Sequence, residues 1–160
     1  MGSFTRRGGW FVVAQVAVWA GFAAVLLFAD PSPDLPGAVA LGVRVAGGVL
    51  VVAGTALVFA GWGALGPAVS PYPAPRTGTD LVELGGYRLV RHPIYGGICL
   101  GAAGVALLAL DAAALAVAVL VIVPFFWLKS SFEERHLVAA YPGYEDYRRR
   151  VRKRLIPGLL

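Results

Sequence analysis

Residues 10–29, WFVVAQVAVWAGFAAVLLFA, run for twenty positions without a charged side chain. At about 1.5 Å per helical residue this length covers the ~30 Å hydrocarbon core of a bilayer, so the stretch reads as a membrane-spanning helix. Further apolar runs follow at about 43–65, 94–110 and 112–128. The two shorter ones suffice if their ends lie in the interface, and the last is expected to continue into water as helix. The whole chain agrees with this reading. Its 160 residues are 58% hydrophobic and only 14% charged, with a mean hydropathy of +0.73, too apolar for a water-soluble domain of this size. Disorder, coiled coil and a soluble dinucleotide-binding domain are excluded on the same ground. The expected fold is all-α: a polytopic membrane helical bundle with about four transmembrane helices and a cytoplasmic C-terminal helical extension. One domain is expected over 1–160, with an N-terminal helix pair in 1–65, a cytoplasmic link in 66–92, and a second helix pair with a basic tail in 93–160.

The net charge of +5 points to a membrane and not to nucleic acid, because the basic residues flank the apolar runs. Arg6 and Arg7 precede the first run, whose exit holds Asp30, Asp34 and three prolines but no base. The next link carries Arg76, Arg88 and Arg91, the turn after the third run offers only Asp111, and the remaining bases follow from Lys129 onward. Every Lys or Arg except Arg44 therefore falls on one side, which places both termini in the cytoplasm. Arg44 is read as a snorkelling side chain at the outer edge. Pro67, Pro71, Pro73 and Pro75 make the link too proline-rich for a continuous helix. Cys99, the single cysteine, has no intrachain partner and reads as a small buried hydrophobe.

Two clusters carry chemistry. The first is GGYRLVRHPIYGG, residues 85–97. Pro93 suits the first position of a helix, since its missing N–H would be orphaned there, and His92 becomes the cap. The helix start, with its exposed N–H groups and positive dipole end beside Arg88 and Arg91, is a seat for a carboxylate or phosphate. Against this, the arginines are read equally as positive-inside anchors, which we favour for Arg88, and Tyr87 and Tyr95 as interfacial aromatics. His92 is assigned to function, because an imidazole embedded there is costly without a partner. The second cluster is LKSSFEERHLVAAYPGYEDYRRRVRKRLIP, residues 128–157. Lys129 and Glu133 share one helix face, with Glu134 about 100° round. The two carboxylates suit a cation or ribose hydroxyls; by spacing alone, a solvated face with one weak ion pair is the stronger reading. His136 is expected at the surface. Pro142 and Gly143 stop the helix, Tyr144 and Tyr147 fall on one side of a last basic turn, and the tail over 148–154 is suited to anionic lipid headgroups.

Together the clusters resemble the isoprenylcysteine carboxyl methyltransferase and phospholipid methyltransferase superfamily of integral membrane enzymes, over roughly residues 85–157. The motif G-x-Y-R-x-V-R-H-P-x-Y-x-G is met by Gly85, Tyr87, Arg88, Val90, Arg91, His92, Pro93, Tyr95 and Gly97. A looser second motif is met by Lys129, Glu133, Glu134, Leu137, Tyr144, Tyr147, Arg154 and Pro157. Lys129 stands where the superfamily usually has arginine, and Gly86 and Lys153 where proline is common. Lysine keeps the charge without the bidentate fork that clamps a carboxylate.

The resemblance implies a methyltransferase using S-adenosylmethionine without a soluble methyltransferase fold, its active site cytoplasmic. It assigns cofactor binding to Tyr87, Val90, Arg91, His92, Pro93, Tyr95, Gly97, Glu134 and Tyr147. Lys129 and Glu133 are the catalytic candidates, Lys129 and Arg154 the substrate-binding ones, and no metal is implied. Arg91 and the helix start would face the methionyl carboxylate, Tyr87 and Tyr95 the sulfonium, and Glu134 the ribose or amino group. The partners expected are a lipophilic small-molecule acceptor and membrane lipids, with no nucleic acid. The acceptor is expected to arrive sideways from the bilayer, its tail in a groove beside Gly96, Gly97, Gly101 and Gly104. Competing readings are a reductase of sterol-reductase type using NADPH, a small exporter, and a non-catalytic membrane subunit. The exporter lacks a carboxylate in its first two spans.

Overall fold

A computed structural model describes residues 8–28, 34–66, 69–70, 72 and 80–159. Arg6, Arg7, Asp30, Arg76 and the link prolines 67, 71, 73 and 75 lie outside the described residues. The elements are α1 (Gly9–Phe28), α2 (Gly37–Leu65), a 3₁₀ turn (Gly85–Arg88), α3 (Pro93–Ala109), α4 (Ala112–Ala140) and α5 (Tyr144–Arg150), with no strand among the described residues. Helices α1, α2 and α4 are each long and apolar enough to cross a membrane, whereas α3 has 17 residues. Large apolar side chains such as Val16, Phe28, Val52, Phe59 and Leu120 point outward, as a lipid-facing surface requires. Helix α2 begins at Gly37, earlier than its apolar run, directly after Pro36. Arg44 accordingly lies within the helix, exposed. Helix α4 continues past residue 128 as expected.

The closest packing joins α2 to α3 through glycines, spaced by seven on each helix. A methyl on Gly54 would lie 2.5 Å from the Gly97 carbonyl oxygen, one on Gly47 2.8 Å from that of Gly104, and one on Gly104 2.7 Å from that of Gly47. Gly61 faces the Pro93 ring. In lipid, helices gain little from hydrophobic burial against each other, so contact between the backbones themselves supplies the dispersion energy. Gly96, on another side of α3, leaves room only for the carbonyl of Leu155. Among the described residues α2 covers Gly97 and Gly104 and Leu155 covers Gly96, so of the four glycines expected to line a groove for an acceptor tail Gly101 alone has open space around it.

Helix α1 packs on α4. Phe11 meets Phe125 and Phe132, and Phe22 joins a core of Ala102, Ala106, Ala114, Ala118 and Ile122. Pro124 cannot donate to the helix ladder, and α4 accommodates it with a wide π turn at Ala118–Ile122, where Val123 N–H reaches Ala118 O. The α3–α4 corner is sharp: Leu110 takes a left-handed conformation (φ 57°), and buried Asp111 accepts from Ala114 N–H at 2.8 Å. These features bring the first turn of α3 beside the last turns of α4.

Gly54→Ala and Gly97→Ala are each expected to lower stability by about 1–3 kcal/mol through overpacking. Gly101→Ala, with free space, is expected to be neutral or stabilising. Thermal unfolding in detergent measures all three; equal effects would contradict the interlocked interface.

Candidate active site

Glu134 is the meeting point of the site. Only 4% exposed, it accepts from Arg91 Nε at 2.7 Å through one carboxylate oxygen, and His92 Nε2 lies 3.3 Å from the same oxygen. A carboxylate only accepts, so the imidazole carries a proton on Nε2. The other oxygen accepts from Arg154 Nη2 at 3.1 Å. One anion thus joins the start of α3, the emergent part of α4 and the segment after α5.

That last segment runs across the start of α3 as a strap. The N–H groups of Arg91 and His92 donate to the carbonyls of Lys153 (3.0 Å) and Arg154 (2.8 Å). Arg91 Nη1 donates to the carbonyls of Val151 (2.9 Å) and Arg152 (2.7 Å). Arg154 stacks 4.3 Å over Trp127 and donates from Nη1 to Ser131 Oγ at 2.7 Å. Fully buried Leu155 fills the notch at Gly96. Two expectations are corrected here. Arg91 and His92, 8% and 5% exposed, turn inward and do not form a water-facing anion seat with exposed Arg88. The tail does not present all its bases to lipid, since Arg154 turns onto Glu134. Of the others, Arg148, Arg149 and Arg150 pair with Glu145, Asp146 and Glu83.

A second layer surrounds Glu133, which is partly open to solvent. It accepts from Tyr95 O–H at 2.8 Å, with His92 Nδ1 at 3.8 Å. The Tyr95 ring stacks on His92 at an interplanar angle of 4°. Lys129 is only 3% exposed; it donates to Gln15 Oε1 of α1 at 2.7 Å and lies 5.1 Å from the Tyr95 ring centre. A solvated face with one weak ion pair, the reading that spacing favours, is ruled out by this burial. His136 also departs from expectation, half-buried against Phe132 with Nδ1 3.0 Å from that residue's carbonyl oxygen.

Helix α5 closes the site. Tyr147 O–H donates to the Tyr87 carbonyl at 2.8 Å. Tyr144 is 1% exposed, and its hydroxyl has no partner among the described residues; the same holds for Arg154 Nε. Burial, and after it the charge of Glu133 for Tyr87 and of Glu134 for Tyr144, holds both phenols well above their usual range, so they stay neutral donors. Burial does the same for Tyr147. Beside this cluster opens a cleft of ≈ 480 Å³ lined by Ser131, Glu134, Arg135, Val138, Arg148 and Arg154.

The structure therefore brings together Tyr87, Arg91, His92, Tyr95, Lys129, Glu133, Glu134, Tyr147 and Arg154. Val90 is fully buried, while Pro93 and Gly97 face α2 and serve packing. Sequence reasoning missed Gln15, although a lone amide in an otherwise apolar run was a signal, and it gave no role to Tyr144.

Removing the charge of Glu134 leaves Arg91 and Arg154 buried without their anion, so Glu134→Gln is expected to cost about 3–5 kcal/mol of stability. Hydrogen exchange at the amides of Arg91 and His92 reports strap docking and should accelerate in this variant. Unchanged protection would show that Glu134 does not hold the strap.

The phospholipid methyltransferase family profile matches residues 43–143. Comparison with curated proteins and with solved structures yields no match. The matched segment covers more than half of the chain and takes in most of α2, the Gly85–Arg88 turn, α3 and α4 with Lys129, Glu133 and Glu134. A family profile that spans the interlocked helix pair and both carboxylates of the site, in a chain built of membrane-length apolar helices, identifies a membrane methyltransferase: the chain belongs to the phospholipid methyltransferase family, within the integral membrane methyltransferase superfamily.

Proposed function

We propose that the chain transfers a methyl group from S-adenosylmethionine to a small amphiphilic, isoprenoid or lipid acceptor at the cytoplasmic membrane interface. The observation that carries this reading is the convergence of buried polar groups from α3, α4, α5 and the strap beside a cleft, with two donors left over. The hydroxyl of Tyr144 and Nε of Arg154 are buried without partners among the described residues, and such groups are normally satisfied. Glu134 and Arg154 of this cluster also line the cleft of ≈ 480 Å³, a volume that suits a polar ligand of nucleoside size.

When bound, the cofactor supplies an electrophilic methyl group on a sulfonium. The chain's own residues supply position and charge. Tyr87 offers an aromatic face to a cation, Tyr95 orients Glu133 through its hydroxyl, and Glu133, the more open carboxylate, offers the negative charge. Glu134 has both oxygens engaged and is suited to fixing Arg91, His92 and Arg154, with a ligand contact shared through them. Arg91 likewise spends Nε and Nη1 on protein partners. Val90, Pro93 and Gly97 support the site from behind. Direct methyl displacement needs no covalent enzyme intermediate, so alignment in a site shielded from water is the main contribution required. The bias of basic residues supports a cytoplasmic side for this site and both termini, and its position at the ends of apolar helices suits an acceptor arriving from the bilayer.

Purified protein in detergent is expected to be stabilised against heat by S-adenosylmethionine and its demethylated product, by about 2.7 kcal/mol at a hundredfold excess over Kd. NADPH is expected to give no shift. Stabilisation by NADPH alone would replace this reading with a reductase.

A further inference from the structure

The knot at Glu134 does not balance its own charge. One carboxylate faces two guanidinium groups, Arg91 at 2.7 Å and Arg154 at 3.1 Å, and the side chains of Arg91 and Glu134 are only 7% and 5% exposed. Glu133 does not make up the difference: it lies on the other side of the His92 ring, where Tyr95 donates to it and Lys129 acts on its charge. Even with His92 uncharged, the knot therefore carries an excess of one positive charge, which is costly to bury unless something compensates it. The hydrogen bonds are out of balance in the same direction. Both oxygens of Glu134 are engaged, whereas the Tyr144 hydroxyl and Arg154 Nε are left without a partner among the described residues. Nε can only donate, and the phenol, held neutral, keeps its proton to give. Tyr144 is 1% exposed, and Glu134 and Arg91 act on it more strongly than Glu133 does, which puts its hydroxyl beside the knot. Both residues lie beyond the segment that the family profile matches.

We propose that the Tyr144 hydroxyl and Arg154 Nε complete a carboxylate seat at the knot, and that this seat selects the methyl donor by its amino-acid end. A carboxylate supplies what both imbalances lack, one negative charge and oxygens that accept. Arg91, which the motif alone would aim at that carboxylate, spends Nε and Nη1 on Glu134 and the strap, and so supports the seat by its charge. Glu133, beyond the His92 ring, is left for the sulfonium. The identity of the ligand rests on the methyltransferase reading, whereas the seat itself is tested separately with a simple anion.

The full chain in detergent is titrated with S-adenosylhomocysteine and with decarboxylated S-adenosylhomocysteine. Its thermal unfolding is followed without ligand, and in excess acetate against chloride at equal ionic strength. The wild type is expected to bind the carboxylate form at least about tenfold more tightly, the effect of a hydrogen bond to a charged group, and to gain stability from acetate over chloride. Tyr144→Phe is expected to lose most of that preference by losing affinity for the carboxylate form alone, and to lose the acetate gain. Without ligand it should be as stable as the wild type or more so, because the hydroxyl it removes has no partner to lose. Arg154→Lys, which keeps the charge but not Nε, is expected to lose the preference as well. Equal binding of the two probes by the wild type, or the full preference retained in either variant, overturns the seat. Lower stability of ligand-free Tyr144→Phe, with both probes weakened alike, makes Tyr144 structural and also overturns it. A wild type that binds neither nucleoside, yet gains from acetate in a way that Tyr144→Phe loses, supports the seat and overturns the methyltransferase reading alone. No response to either nucleoside or to acetate overturns both.

Discussion

The carboxylate of Glu134 is the interaction on which the functional half of this protein depends. Arg91 and His92 come from the start of α3, Arg154 from beyond α5, and Glu134 itself from α4. In a water-poor environment each of these polar groups is expensive alone, and each is tolerable because the others are present. The knot therefore fixes the relative positions of three chain segments and, through the backbone bonds of the strap, satisfies the N–H groups that precede α3. A carboxylate that already has three protein partners serves first as a frame, and Glu133, Lys129 and Tyr144 keep the spare capacity beside it.

That frame needs α3 and α4 held in register, and the glycines provide it. Bilayer lipid offers helices no hydrophobic reward for association, so α2 and α3 meet where side chains are missing and backbones touch. The same device recurs at Gly96, where absence of a side chain admits the strap and lets Leu155 seat. The strap is thereby tied to the helix by shape as well as by charge. The core between α1, α3 and α4 is built mostly of alanine with a few large anchors, Phe22, Ile122 and Phe126.

Much of this was legible in the residues. Uncharged runs located the helices, Pro93 located the start of α3, and the spacing of Tyr87, Arg91, His92 and Tyr95 with Glu133 and Glu134 identified the cluster and its superfamily. What escaped was long-range. Nothing in a string of arginines distinguishes Arg154, turned inward to Glu134 and Trp127, from Arg148 to Arg150, which pair at the surface. Glycine content suggested a groove, but whether a helix, a carbonyl or nothing occupies each notch is settled by packing partners far along the chain. Spacing within α4 suggested that Lys129 and Glu133 pair on a solvated face. In the fold, Lys129 turns to Gln15, separated from it by most of the chain.

In the proposed function the junction of α3, α4 and α5 is the binding place of the methyl donor. Ultraviolet cross-linking of S-adenosylmethionine labelled in its methyl group, followed by peptide mapping, tests this most directly. Label is expected on peptides from residues 85–97 and 129–147, and excess unlabelled S-adenosylhomocysteine should suppress it. Label confined to α1 or α2, or label that the competitor does not displace, would contradict a donor site at the Glu134 knot.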